Sequence, residues 1–268
     1  MPAKGEKYFF ISSLAKGIKI MEVLSEHKAL TVSEVAKKMD FNRAASHRFL
    51  ATLRELGYVK KNEDNRYQLT FRILEMGMKV ADRLEIIQEA RKFMQQLSKG
   101  FNETVNLGSW DGKEILHLDK IDSSEILRID APVWSRTPAY CTALGKAILA
   151  HITKEELNDY LAHTQLASHG PNTIVSKKKL REELQKTRER GYAVDNEEMA
   201  DGLRCVAAPV FDHTGRARYA LSISSPAMRL PMDGVENMQL KVRDICRQLS
   251  ERLGCRTGGP GNKNIKKS

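Results

Sequence analysis

Between Leu30 and Leu69 the chain reads as helix, tight turn, helix and then a two-stranded wing, and no other stretch limits the fold so tightly. Thr31 or Ser33 can cap a short helix in which Val35, Ala36 and Met39 recur at helical spacing, and Asp40 falls where the chain must turn sharply. Gly is usual at such a corner, and Asp is tolerated because its short side chain supports a left-handed backbone. Asn42 then caps a second helix with Phe49, Leu50, Leu53 and Leu56 as its apolar stripe, and Gly57 ends it. Tyr58 to Lys61 and Arg66 to Leu69 alternate as short strands around Asn62-Glu63-Asp64-Asn65, which makes a hairpin wing. The spacing predicts a mostly helical winged helix-turn-helix.

The second helix opens with a basic, small-residue turn. Ala44 and Ala45 let the backbone approach a major groove, while Arg43, His47 and Arg48 reach phosphates or base edges. An ordinary amphipathic hairpin with a solvated basic face would also carry exposed Arg. Caps, corner, stripe, wing and charge agree on one module, however, and that agreement points to double-stranded DNA as a partner.

Charge is distributed accordingly. Residues 1 to 80 hold 15 Lys and Arg against 9 Asp and Glu, residues 256 to 268 hold 4 basic residues and no acid, and residues 81 to 255 hold 25 of each sign. The formal net charge of +10 therefore belongs to the head and the tail. A basic, solvated head is what phosphate neutralisation requires, with affinity that falls as salt rises. No run approaches the roughly 20 apolar residues that span a bilayer. Tyr8 to Ile11 is too brief for a signal peptide and leads into a helix carrying Leu14, Ile18, Met21 and Leu24 on one face, so a cytoplasmic location is expected. Cys141, Cys205, Cys246 and Cys255 form no CxxC or Cys/His cluster, so buried thiols are expected, with no zinc site, disulfide framework or cofactor.

The 268 residues suit two domains. Residues 1–70 form the DNA-reading module, 71–100 a helical linker, 101–255 a second domain and 256–268 a flexible basic tail. Thr70 can cap a helix from Phe71 to about Leu84 whose Ile73, Leu74, Met76, Met78 and Val80 are apolar on more than one side, suited to a second copy of itself or to its own domains. Ile86, Ala90, Phe93, Met94 and Leu97 mark the next helix, with Lys99-Gly100 as its stop.

From Glu103 strands take over. Thr104 to Trp110 and Lys113 to Ile121 flank Asp111-Gly112, and Glu125 to Ile129 continues in extended form. Helices are expected from Thr142 to His151, from Thr153 to Leu161 and from Ser176 to Gly191; strands at Tyr192 to Asn196, Leu203 to Phe211 and Arg216 to Ser224; and a last helix from Asp233 to Leu253. That mixture predicts an α+β sheet with helices packed on it.

Three segments of this domain could converge on a small anion. A helix starts among small residues at Ala143-Leu144, whose free amides suit a carboxylate or only water. Alternation puts Ser222 and Ser224 on one strand face, toward a ligand or toward solvent. Asp195 to Cys205 packs acids, a glycine bend and a thiol into a short span, which could equally be a surface loop entering a buried strand.

With those segments in place, the chain resembles the IclR-type bacterial transcriptional regulators from Ser13-Leu14 to about Gly254. The resemblance rests on His47-Arg48-Phe49-Leu50, Leu56-Gly57-Tyr58-Val59, Pro138-x-x-Cys141-Thr142-Ala143-Leu144-Gly145-Lys146-Ala147, Asn196-Glu197-Glu198 and Gly202-Leu203-Arg204-Cys205-Val206-Ala207-Ala208-Pro209-Val210-Phe211. It implies a GAF-like effector domain that binds a small organic acid, and assembly into homodimers or homotetramers. By position it further implies a carboxylate held by the Ala143 and Leu144 amides and the Ser222 and Ser224 hydroxyls, with Asp195 and Cys205 at the ligand's other polar end and Leu203 as an apolar wall. The wording around Asp119-Lys120-Ile121-Asp122, Glu197-Glu198 and Gly202-Leu203-Arg204-Cys205 is similar to the branch controlling sugar-acid breakdown, including regulators that respond to 2-keto-3-deoxygluconate; keto acids and aromatic acids are the other ligand classes.

The expected function is therefore an effector-responsive, sequence-specific DNA-binding regulator acting on a near-palindromic operator, and not an enzyme. An enzyme would need Cys205 as nucleophile with Asp195 and an imidazole such as His117 or His151, and no local motif pairs a thiol with a base. An architectural DNA binder without a ligand is the remaining alternative.

Overall fold

The computed structural model describes residues 10–81 and 85–255. The basic tail at 256–268, the expected end of the linker's first helix near Leu84 and the Val80 side chain lie outside them. The chain divides into two compact units, Met1–Leu84 and Glu85–Ser268. No helix among the described residues is long and apolar enough to cross a membrane.

In the first unit α1 (Ser12–Ser25), α2 (Val32–Met39) and α3 (Arg43–Glu55) precede the antiparallel pair β1 (Val59–Lys61) and β2 (Tyr67–Leu69), followed by α4 (Arg72–Ala81). The α2 cap is Thr31, which forms a reciprocal capping box with Glu34. Asp40 takes the left-handed corner at φ 54° and ψ 45°, and Asn42 caps α3 through the Ala45 amide. Ile20, Leu24, Val35, Met39, Leu50, Leu53, Val59 and Tyr67 close one core, where each fully buried aliphatic side chain stabilises by about 1.5–3 kcal/mol.

Two apolar stripes turn differently from expectation. In α1 the buried positions are Ile20 and Leu24, while Leu14 and Ile18 join Phe10 and Ile11 on an exposed face. Helix α1 carries two apolar faces, and the core selects the one that meets α2 and β2. In α3 Leu56 is exposed, because the helix ends at Glu55 and Gly57 takes a left-handed φ of 79°. On α4, Leu74, Met76 and Met78 are exposed.

The second unit runs α5 (Glu85–Phe101), β3 (Thr104–Trp110), β4 (Glu114–Ile121), β5 (Arg136–Pro138), α6 (Ala143–Leu149), α7 (Lys154–His163), α8 (Lys177–Arg190), β6 (Ala193–Asn196), β7 (Leu203–Phe211), β8 (Ala217–Pro226) and α9 (Met232–Arg252). Its six strands form one antiparallel sheet in the order β5-β4-β3-β8-β7-β6. Helix α5 runs through Gly100 and stops at Asn102, whose φ is 52°; a lone helical Gly costs only about 1 kcal/mol and does not break a packed helix. No strand forms at Glu125 to Ile129. Ile126 is fully exposed there and offers no buried face, and β4 takes the three residues of β5 as its edge partner instead.

The pleat separates two layers. Ile115, Ala193, Cys205, Ala207 and Ala220 pack with Ala147 and Ile148 of α6, Tyr160 and Leu161 of α7, and Leu180 and Leu184 of α8. Helices α5 and α9 cover the opposite face. At the edge of β6 the Tyr192 carbonyl accepts from Arg190 Nε at 2.7 Å, and the Asn196 carbonyl from Asn172 Nδ2 at 2.9 Å.

Candidate functional site

The two proposed sites lie in different units. On α3, Arg43, Ala44, His47 and Arg48 are exposed and Ala45 is half-buried, while Ser46 between them is fully buried and donates to the Asn42 carbonyl at 3.2 Å. The face that leaves the core is thus the basic, small-residue face. Lys60 and Lys61 on β1 are exposed as well. They put positive charge on the wing, and they stand in the strand expected at Tyr58 to Lys61 without being among the expected DNA-binding residues.

In the second unit the sheet register collects the predicted ligand residues. Asp195 pairs with Cys205, Cys205 with Ser224, and Ala207 with Ser222, so these side chains share one face across β6, β7 and β8. On β3, Thr104 pairs with Ser224 and Asn106 with Ser222, on the same face. Ser224 Oγ accepts from Asn106 Nδ2 at 3.1 Å and lies 3.1 Å from Cys205 Sγ. Asp195, Cys205, Ser222 and Ser224 are all buried, and Leu203 is half-buried at the start of β7.

Helix α6 stands over this face. Thr142 caps it by accepting the Gly145 amide at 3.2 Å, and Ala143 and Leu144 are buried. Leu144 packs on β3 where Gly108 leaves room: a Cβ built on Gly108 would lie 3.0 Å from Leu144 Cδ1. Gly145 is needed for a similar reason, since a Cβ there would fall 2.1 Å from the Ala139 carbonyl oxygen.

The charged part of the site was not predicted. Lys146 and Glu198 form an ion pair with side-chain exposures of only 1% and 7%. The Glu198 amide donates to Asp195 Oδ1 at 2.8 Å, and the Met199 amide adds a contact at 3.3 Å. Asp195 Oδ2, Glu198 Oε2 and Asn106 Oδ1 are buried acceptors with no partner among the described residues. Burial pushes the Asp195 carboxyl up to about 7; the Glu198 charge adds to the rise, while the Glu198 amide and the Lys146 ammonium oppose it. Burial likewise raises Glu198, against the pull of Lys146. Lys146 and Glu198 stand in two of the motif segments, but their pairing has no local sign, because they and Asn106 meet only through the sheet register and the α6 crossing.

A cleft of about 340 Å³ is lined by residues that include Asn172, Tyr192, Val194, Asn196 and Glu198. None of the seven predicted effector residues lines it, and it meets their cluster at Glu198. The thiols are poor nucleophiles: burial pushes Cys141 up to about 12 and Cys205 well above its ordinary value, with the Asp195 charge adding to both. The imidazoles lie elsewhere, His117 Nε2 being 3.2 Å from Thr137 Oγ1 and His151 edge-on to Phe211 at 5.2 Å. No group of three or more His, Cys, Asp or Glu side chains among the described residues could hold a metal ion.

Comparison with known proteins agrees with this architecture. Residues 13–63 match the IclR helix-turn-helix domain, and residues 78–251 match the bacterial transcriptional regulator IclR C-terminal domain. The HTH-type transcriptional regulator KdgR of Dickeya chrysanthemi is 34% identical over 245 residues, covering 91% of this chain and 80% of that protein. The crystal structure of the Thermotoga maritima IclR is 32% identical with a TM-score of 0.73, covering 91% of this chain and all of that one. An IclR homologue from Microbacterium hydrocarbonoxydans, solved in complex with 4-hydroxybenzoate, has a TM-score of 0.78 at 22% identity and covers 90% and 98% of the two chains. A basic helix-turn-helix, a six-stranded sheet under α6 and matches over both units lead to one assignment: the chain belongs to the IclR family of bacterial transcriptional regulators, near its KdgR branch.

Proposed function

We propose that this regulator senses a small organic acid in its second unit and reports it to DNA through α3. The acid's carboxylate is held by the Ala143 and Leu144 amides and the Ser222 and Ser224 hydroxyls, its far polar end by Asp195 and Cys205, and its body by Leu203. The observation that carries this reading is the gathering of Asp195, Cys205, Ser222 and Ser224 on one buried sheet face beside unpartnered acceptors. A buried polar atom without a partner is costly unless something supplies the missing bond, which a hydroxylated guest would do. The complex of a related fold with 4-hydroxybenzoate supports an acid as guest, and the likeness to KdgR favours a sugar or keto acid.

On DNA, Arg43, Ala44, Ala45, His47 and Arg48 form the reading surface. Two copies would place their α3 helices roughly 34 Å apart in successive major grooves of a near-palindromic operator. The exposed Leu74, Met76 and Met78 of α4 support pairing of two copies through that helix. The acid changes DNA affinity only if it binds the competent and incompetent arrangements unequally.

The test is fluorescence anisotropy on DNA upstream of the protein's own and neighbouring genes, over a salt series, with a panel of sugar, keto and aromatic acids. Salt-sensitive binding shifted by one acid, with the shift lost in Asp195→Asn and Ser224→Ala, is the expected result. Binding that no acid shifts would overturn the sensing role.

A further inference from the structure

Lys146 is the largest of the almost fully buried side chains among the described residues, and its neighbours along α6, Ala143, Leu144, Ala147 and Ile148, belong to the apolar core. Its partner Glu198 comes from the loop after β6, so the pair ties the helix over the ligand face to the loop beside it. A buried ion pair is weak as a stabilising device, because the cost of desolvating both charges is comparable with their attraction. The position of this pair is more informative than its strength. Among the largest influences on Asp195, Cys141, Cys205 and Glu198, the one positive charge is that of Lys146. Glu198 acts on Asp195, Cys141 and Cys205 with the opposite sign, and Glu183 is the further carboxylate that faces Glu198.

We propose that the Lys146–Glu198 pair sets the charge preference of the effector site, Lys146 supplying the positive potential that draws in an acid and Glu198 limiting it. This rests on the acid-sensing function above. Glu198 pairs with Lys146 and Asp195 feels the same charge, so an entering carboxylate adds a further negative charge to a buried, low-dielectric site. Removing Lys146 makes that site less favourable to an anion. Removing the Glu198 charge frees Lys146 to take the guest as its counter-ion. The Glu198 backbone is held independently of its carboxylate: its amide binds Asp195, and its carbonyl accepts from the Gly170 amide at 3.0 Å and Thr173 Oγ1 at 2.5 Å. A Glu198→Gln chain therefore keeps the loop in place while losing the charge.

The prediction is a split in sign. In calorimetric titrations of the full-length protein with gluconate and 4-hydroxybenzoate, Lys146→Met weakens the binding acid about tenfold or more, Glu198→Gln tightens it, and the double variant lies near the parent. The uncharged 4-hydroxybenzamide changes far less in every variant. A purely structural pair behaves otherwise: either single variant leaves an uncompensated buried charge, so both weaken acid and amide alike, and that result would overturn the proposal. A second readout needs no ligand. The Asp195 carboxyl, followed by ¹³C NMR, titrates at higher pH in Lys146→Met and at lower pH in Glu198→Gln; midpoints that move the same way or not at all also overturn it. If neither these two acids nor any other of the panel binds the parent chain, the acid-sensing function falls and this inference with it. Binding to the parent without the sign split removes the inference alone.

Discussion

Arg66 Nη1 lies 2.9 Å from Glu34 Oε2, the same oxygen that accepts the Thr31 amide at 2.7 Å. One carboxylate thus closes the α2 capping box and fastens the wing to it. The Thr31 amide, followed by the Thr31 hydroxyl and Arg66, holds this carboxyl below the usual range. Thr31→Ala, which removes the hydroxyl that caps α2, is expected to cost about 1 kcal/mol in urea unfolding. Glu34→Gln weakens both contacts, and hydrogen exchange of the β1 and β2 amides should speed up although neither strand is altered.

DNA affinity separates the two arginines of α3. Arg48→Ala should lower the slope of log affinity against log salt by about 0.9 if it neutralises one phosphate. Arg43→Ala, at the first position of the helix, should cost about 1–3 kcal/mol against the preferred operator and less against altered sequences if it reads a base. Anisotropy across salt and operator variants distinguishes these effects, and an unchanged double variant would place α3 outside the interface.

Gly145→Ala tests the packing of α6. The added Cβ would lie 2.1 Å from a backbone oxygen that cannot rotate away, so α6 must shift. Overpacking of this kind costs about 1–3 kcal/mol or more, and thermal unfolding should show it together with weaker acid binding. Gly202→Ala is a contrasting variant: its Cβ meets nothing within 4 Å, and only its left-handed φ of 71° is strained.

Two buried groups should pull stability in opposite directions as pH changes. Asp195 is raised by burial from 3.8 to about 7, so between those values the folded chain holds a proton that the unfolded chain has released. Its contribution is present below the lower value and is lost as pH rises toward about 7. His151 is lowered by burial from 6.5 to about 4, so the folded chain lacks a proton that the unfolded chain carries, and its contribution grows with pH across that window. Measured as melting temperature, Asp195→Asn should gain on the parent protein as pH rises toward 7. His151→Leu should gain on it as pH falls toward 4.

The first unit was the more legible in sequence. Thr31, Asp40, Asn42 and Gly57 act within a few residues of themselves, so capping and turn chemistry are visible without a fold. The α1 stripe was not, because Leu14 and Ile18 are as apolar as Ile20 and Leu24 and only the neighbouring elements decide which pair is buried. In the second unit the edge strand β5 escaped notice: three residues ending in Pro138 have no readable alternation. Ser222, Ser224, Asp195 and Cys205 were found through family resemblance. Asn106 and the Lys146–Glu198 pair were not, since Asn106 and Ser224 are 118 positions apart and only the strand register joins them.

The outer edge of β6 has a consequence for how these molecules behave at high concentration. An exposed strand invites a second chain to extend the sheet, and repeated extension leads to fibres. Here the side chains of Arg190 and Asn172 already occupy the carbonyls of Tyr192 and Asn196, two acceptors that an incoming strand would need. The chain is thereby steered away from polymerising along this edge, by two plugs rather than by a covering helix.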